Sequence, residues 1–342
     1  MHFDTDGVYT LLYTAEDSCG NETIEERTVE VISYNTVLFT DGTFIINEKS
    51  TDRAANIALH GAVTNEYIPF DPNGDTDIKK YIFTSESDRP WNGQRQNIYS
   101  VEIGSNISPI STAYWFSNCT NAETIDMSKF DTSAVTDMSY MFRGFGNSIS
   151  ANPAIDLSPL DTSNVTNMRY MFANMGVTSL DVSTLDTSKV TDMFLMFSSC
   201  NRLTSLDLSS FNTSLVTNMG AMFSGCQALT SLDLSSFDTS SVTNMATMFY
   251  QCYYLTSLDL SSFDTSLVTD TSAMFSLCNQ LTTIYASASF VVDQVTSSNG
   301  MFQNTSVLVG GAGTVWNSSR TNKAYAKIDG GTADPGYFTA KS

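Results

Sequence analysis

Eight phenylalanines, Phe116, Phe142, Phe172, Phe197, Phe223, Phe249, Phe275 and Phe302, close near-copies of one block of text, at steps of 26, 30, 25, 26, 26, 26 and 27 residues. The clearest copy runs Cys226-Gln-Ala-Leu-Thr-Ser-Leu-Asp-Leu-Ser-Ser-Phe-Asp-Thr-Ser-Ser-Val-Thr-Asn-Met-Ala-Thr-Met-Phe249. A unit this short cannot enclose a core of its own. It buries its apolar face against the next copy, and the outcome is a solenoid. Such scaffolds mostly bind, so chemistry needs special evidence.

Each copy holds two patterns. Leu229-x-x-Leu232-x-Leu234 alternates as a leucine-rich-repeat strand does, and equivalent strands centre on Val101, Ile125, Ile155, Leu180, Leu206, Leu232, Leu258 and Ile284. Val242, Met245, Met248 and Phe249 then fall at i, i+3, i+6 and i+7, one face of a short helix capped by Asp238, Thr239 or Ser240. The expected fold is an α/β repeat solenoid, leucine-rich-repeat-like, of about eight repeats over residues 98–305. The longest copy, with Gly144, Gly146 and Pro153, should bulge without breaking the stack.

Before the repeats, Val8–Ala15 and Thr23–Ile32 alternate as a β-hairpin about Ser18-Cys-Gly-Asn21, in a segment 1–34. Residues 35–97 read as a small α+β N-terminal cap. In it a hairpin turns on Asp41-Gly42, and a helix starts at Ser50 or Thr51, is filled by Ala54, Ala55, Ile57, Ala58 and Leu59, and ends at Gly61. Residues 306–342, with two glycine-rich runs, read as a C-terminal cap.

The net charge of -20 disfavours nucleic acid and anionic membrane surfaces as partners. With 42% hydrophobic residues the chain is nonetheless a packed protein. It lacks the run of about 18 apolar residues that a spanning helix needs, and Met1-His2-Phe3-Asp4 does not open a signal peptide. Five of six cysteines, Cys119, Cys200, Cys226, Cys252 and Cys278, lie three residues after a block's phenylalanine; Phe145, Met175 and Thr305 fill that place elsewhere. A slot shared by Cys, Phe and Met favours buried free thiols over disulfides.

The string Phe-Asp-Thr-Ser-x-Val-Thr-Asn-Met-x-x-Met-Phe-x-x-Cys-x-x-Leu-Thr-Ser-Leu-Asp-Leu-Ser resembles the repeat of the BspA-like leucine-rich surface proteins, the unit also found in Mycoplasma surface lipoproteins. Gly310-Gly-Ala-Gly-Thr314 and Ala326-Lys-Ile-Asp-Gly-Gly331 are similar to the endings of such proteins. Asp88-Arg-Pro-Trp91 with Ser111-Thr-Ala-Tyr-Trp-Phe116 looks like an N-terminal unit of gut-bacterial and phage-encoded members. Gly7–Thr14 and the Cys-Gly-Asn turn resemble the last strands of an immunoglobulin-like β module, whose other strands are expected upstream. The resemblance implies attachment: adhesion on a bacterial surface, or host recognition on a phage virion, in either case extracellular. It brings no catalytic residues.

The two histidines and the lack of a nucleophile motif or phosphate loop also argue against an enzyme. The Met-x-x-Met pairs, Met138/Met141 to Met245/Met248, imitate thioether copper sites but read as core. Asp126, Asp156, Asp181, Asp207, Asp233 and Asp259 form an outward ladder. At a strand spacing of about 4.8 Å neighbours repel by roughly 0.9 kcal/mol in water. Calcium on Asp181, Asp207, Asp233 and Asp259 would relieve this; hydrogen bonds from adjacent Ser and Thr are the alternative. Asp71-Pro-Asn-Gly-Asp-Thr-Asp77 spaces oxygens like a calcium loop, yet Ile82 stands where glutamate is needed, so it reads as a turn.

A selective ligand should touch positions that differ between copies: Tyr250, Tyr253 and Tyr254 in one block, Phe194, Leu195 and Arg202 in another. The expected partner is a protein or glycan on a cell surface. Self-association and a ligand-free structural spacer are the alternatives.

Overall fold

The structure, a computed structural model, describes the backbone of five strands before residue 68, the isolated residues 41 and 59, and residues 84–341 save 90, 104–106 and 151. Strands β1 (Gly7–Glu16) and β2 (Glu22–Val31) pair antiparallel, the hairpin expected from their alternation. Strands β3 (Tyr34–Phe39), β4 (Thr43–Lys49) and β5 (Val63–Tyr67) form a second antiparallel group. The cap helix, save Leu59, and the Asp71–Asp77 loop lie outside the described residues.

From β4 onward the sheet turns parallel. Phe44 of β4 registers with Val101 of β6 (Ser100–Ile103), Val101 with Ile125 of β7 (Thr124–Asp126), and Ile125 with Ile155 of β8 (Ala154–Ile155). The cap sheet thus runs without a break into a solenoid of about seven turns. Far along the stack β9 (Ser257–Leu260), β10 (Thr283–Ala286) and β11 (Phe338–Ala340) form another parallel sheet. The segments at Leu180, Leu206 and Leu232 keep the inward-outward alternation but are not strands: Leu180 and Val182 are buried around exposed Asp181. Thr204 donates its N–H to the Thr178 carbonyl there, one backbone bond in place of a continuous ladder.

The helix expected in the second half of each copy does not form; a run of stacked turns takes its place. In the coil closed by Phe142, the N–H groups of Met138, Tyr140, Phe142 and Gly144 donate to carbonyls of Asn167, Arg169, Met171 and Ala173 in the next coil. Those of Met141, Arg143 and Phe145 donate three residues back, to Met138, Tyr140 and Phe142. Half of the donors a helix would use are therefore spent on the neighbour. Each coil also holds left-handed residues two before and two after its phenylalanine, such as Thr247 (φ 56°) and Gln251 (φ 59°), which no helix tolerates. Inward direction still follows the sequence, and the Met-x-x-Met residues are fully buried core.

The closing phenylalanines stack along the axis, Phe197 to Phe223 at 6.0 Å between ring centroids and Phe249 to Phe275 at 5.8 Å. Beside them lie the five buried, unpaired cysteines. The Cys226 thiol donates to the Phe197 carbonyl and that of Cys278 to Phe249, while the Thr305 hydroxyl donates to Phe275. Threonine is thus no intruder in this slot, since it supplies the same bond as the thiols. Burial pushes the thiols of Cys119, Cys200 and Cys278 up to about 12. A third ladder uses buried threonines: Thr239 Oγ1 donates to the Asp264 carbonyl at 2.8 Å and accepts from the Asp264 N–H at 2.9 Å.

Both ends of the stack are closed by groups from the flanking segments. The first coil has no predecessor to donate to its carbonyls, and Arg89, 2% exposed, donates to those of Trp115 and Ser117 while Trp91 Nε1 also reaches Trp115. At the far end the Phe302 N–H meets the Thr321 carbonyl, and Trp316 Nε1 donates to the Phe302 carbonyl.

Candidate interaction surface

The turn face carries the side chains that differ most between copies. Two places before the closing phenylalanine stand Tyr114, Tyr140, Tyr170, Leu195, Ala221, Thr247, Ala273 and Gly300. The three tyrosines stack on successive coils, ring centroids 4.4 Å apart, and Phe194 sets its edge against Tyr170 at 5.8 Å. All four are half-buried. The Arg169 guanidinium lies 4.6 Å from the Phe194 ring centroid and pairs with Asp192 at 3.0 Å. Burial alone would lower the Arg169 pKa, but Asp192 raises it above its ordinary value.

One coil earlier Arg143 pairs with Glu86 at 2.7 Å, and Ser117 and Asn118 donate to the same carboxylate oxygen. Burial pushes Glu86 up, and these donors with Arg143 hold it below the usual carboxylate range. Burial also raises Tyr114 and Tyr170, so their hydroxyls stay protonated at neutral pH. The result is a ridge of hydroxyl and guanidinium groups on a rigid aromatic stack. Ring faces meet each other, so ring edges and hydroxyls are what a ligand can reach. The recurrent tyrosine before Met141-Phe142 and Met171-Phe172 was the sequence signal for this ridge, and reading the copies only for their differences passed over it.

The residues expected to bind are dispersed. Phe194 belongs to the ridge, and Leu195 continues the tyrosine column in a left-handed conformation (φ 59°). Tyr250 is half-buried directly after the phenylalanine of a coil two steps on, with Tyr253 half-buried and Tyr254 52% exposed beyond it. Arg202 occupies the position of Tyr254 in its own coil but turns back to the long copy, donating to the Ile149 and Ser150 carbonyls. These two bonds tie its coil to the bulge.

On the strand face the aspartate ladder points outward as expected. Oδ1 of Asp181, Asp207, Asp233 and Asp259 accepts the N–H two residues on, from Ser183, Ser209, Ser235 and Ser261, at 2.9–3.1 Å. These hydrogen bonds hold the carboxylates of Asp181, Asp207 and Asp233 below their ordinary pKa. Among the described residues no group of three or more His, Cys, Asp or Glu side chains is placed to hold a metal ion.

Comparison with known proteins supplies the family. The family model described as "Mycoplasma protein of unknown function, DUF285" matches twice, over residues 110–226 and 196–316. The chain belongs to this family. The two DUF285 matches overlap and together span the solenoid from its first closing phenylalanine to past its last. No curated protein and no solved structure matches the chain.

Proposed function

We propose that this DUF285 chain is a non-enzymatic recognition module of the BspA-like kind, displayed outside the cell on a bacterial or virion surface, with a protein or glycan of another surface as its ligand. One observation carries this: buried inward positions are nearly invariant from copy to copy, while the half-exposed positions that vary gather tyrosine, phenylalanine and arginine on one turn face from Tyr114 to Phe194. Anchors of these types dominate binding energy when covered, often at about 2 kcal/mol each. A spacer without a ligand would gain nothing from a costly half-exposed ridge. The N-terminal hairpin fits the end of an immunoglobulin-like module that would carry the solenoid away from its anchor.

The test compares two triple variants, Tyr140→Ser/Tyr170→Ser/Phe194→Ser and Tyr250→Ser/Tyr253→Ser/Tyr254→Ser, for binding to glycan arrays and to bacterial and host cells. Loss of attachment in the first set, with folding retained, supports the ridge. Loss only in the second moves the site to the later coils, and attachment by neither wild type nor variants removes the recognition reading.

A further inference from the structure

The parallel ladder stops after β8. Thr178 would continue it by donating to a carbonyl of the preceding coil, as Thr204 does to Thr178, but its N–H goes to Asn152 Oδ1 at 2.6 Å. Asn152 comes from the extra residues of the 30-residue copy. Beside this interruption lies a groove of about 520 Å³ between β7–β8 and residues 177–181. Its apolar lining includes Ile125, Ile155, Val177 and Leu180, and its carboxylates are Asp156 and Asp181.

We propose that this groove holds a lysine or arginine side chain presented by an extended segment of a partner protein. Each of the two aspartates commits Oδ1 to its own turn, with Ser158 or Ser183 as donor, which leaves the second oxygen for a ligand. Two carboxylates over aliphatic side chains suit a cation on a methylene stem, whose stem is covered while its head is paired. A calcium ion takes six to eight oxygens and gains nothing from such a floor. The same chain already shows the contact at an equivalent place: Lys341, directly after β11, pairs through Nζ with Asp259 of the ladder and lies 5.5 Å from the Tyr285 ring centroid. An extended segment bearing lysine is thus what this ladder accepts at its C-terminal end. The net charge of -20 draws cationic partners to it.

The probe is a fluorescein-labelled octapeptide of alternating lysine and leucine, titrated against the full chain at physiological ionic strength. Asp156→Asn/Asp181→Asn is expected to weaken binding about tenfold, whereas Asp207→Asn/Asp233→Asn, with the same charge removed from aspartates that do not line this groove, changes it less than about twofold. Asparagine keeps the turns, since Asn212 Oδ1 already accepts the Ser214 N–H in that way, and thermal melts check that both variants fold. A peptide with norleucine for lysine should not bind. Equal weakening by the two pairs would reduce the effect to diffuse charge attraction and overturn the site, as would a wild-type chain that fails to saturate.

Discussion

Arg89 donates from Nη1 to the Ser117 carbonyl at 2.8 Å, a buried cation serving as the coil that precedes the first. Burial lowers the Arg89 pKa, yet the group remains charged at any ordinary pH. Arg89→Ala leaves the Trp115 and Ser117 carbonyls without this donor, and hydrogen bonds to charged groups are worth about 1.5–3 kcal/mol each. The variant is expected to lose about 3 kcal/mol in urea unfolding. Arg89→Lys should recover little, because a lone ammonium cannot reach both carbonyls and also replace Nε and Nη2, which hold the guanidinium in place on the Glu86 carbonyl and Asn92 Oδ1. A variant as stable as wild type would show that the first coil needs no cap.

Asp329 organises the closing cap. Its carboxylate is buried and accepts from the N–H groups of Ala312, Thr314, Gly331 and Gly336 and from the Thr314 hydroxyl. Burial acts to raise its pKa, but these donors hold it far below the ordinary carboxylate value. Since the folded value is depressed, the stabilisation is complete above the unfolded pKa of about 3.9 and is lost as the pH falls through the folded one. Asp329→Asn should flatten the acid limb of the stability curve and cost about 2 kcal/mol at neutral pH, because an amide nitrogen cannot accept. Parallel acid limbs for the two proteins would refute this.

Thr271 stands in the column that five inner coils fill with Met138, Met168, Met193, Met219 and Met245 and the two end coils with Thr112 and Ser298, and its buried hydroxyl has no hydrogen-bond partner. Thr271→Val keeps the shape and removes the unsatisfied group. Stability should rise by about 1 kcal/mol, read as a higher urea midpoint at unchanged slope. A lower midpoint would mean that the hydroxyl finds a partner.

Cys226 and Cys252 are fully buried, with thiols pushed well above the usual range. An aromatic disulfide reagent at neutral pH should leave them unmodified until denaturant is added. Labelling of the native chain at the rate of a free peptide thiol would contradict the packing.

The period, the inward residues and the outward aspartates were legible in the sequence because stacking of copies depends on side-chain direction alone. The hydrogen-bond partners were not. Val242, Met245, Met248 and Phe249 point inward at helical spacing in stacked turns as they would in a helix, and no glycine marks Thr247 or Gln251 as left-handed. Buried Arg89 was hidden for a related reason: it satisfies carbonyls that are orphaned only once the coils are stacked. The expected binding residues fall at different places around two separate coils, because position along the chain does not say which face of the coil a side chain shares.

Because the turn-face N–H groups of one coil are met by carbonyls of the next, that face of the stack has a direction, with acceptors at its first end and donors at its last left for the caps to satisfy. Excision or duplication of a whole copy in the interior rejoins a donor edge to an acceptor edge and leaves the turn-face backbone ladder made. The two termini tolerate no such edit. Unequal recombination can therefore lengthen or shorten this protein as it would a ruler, changing its reach while Arg89 and Asp329 stay where they are.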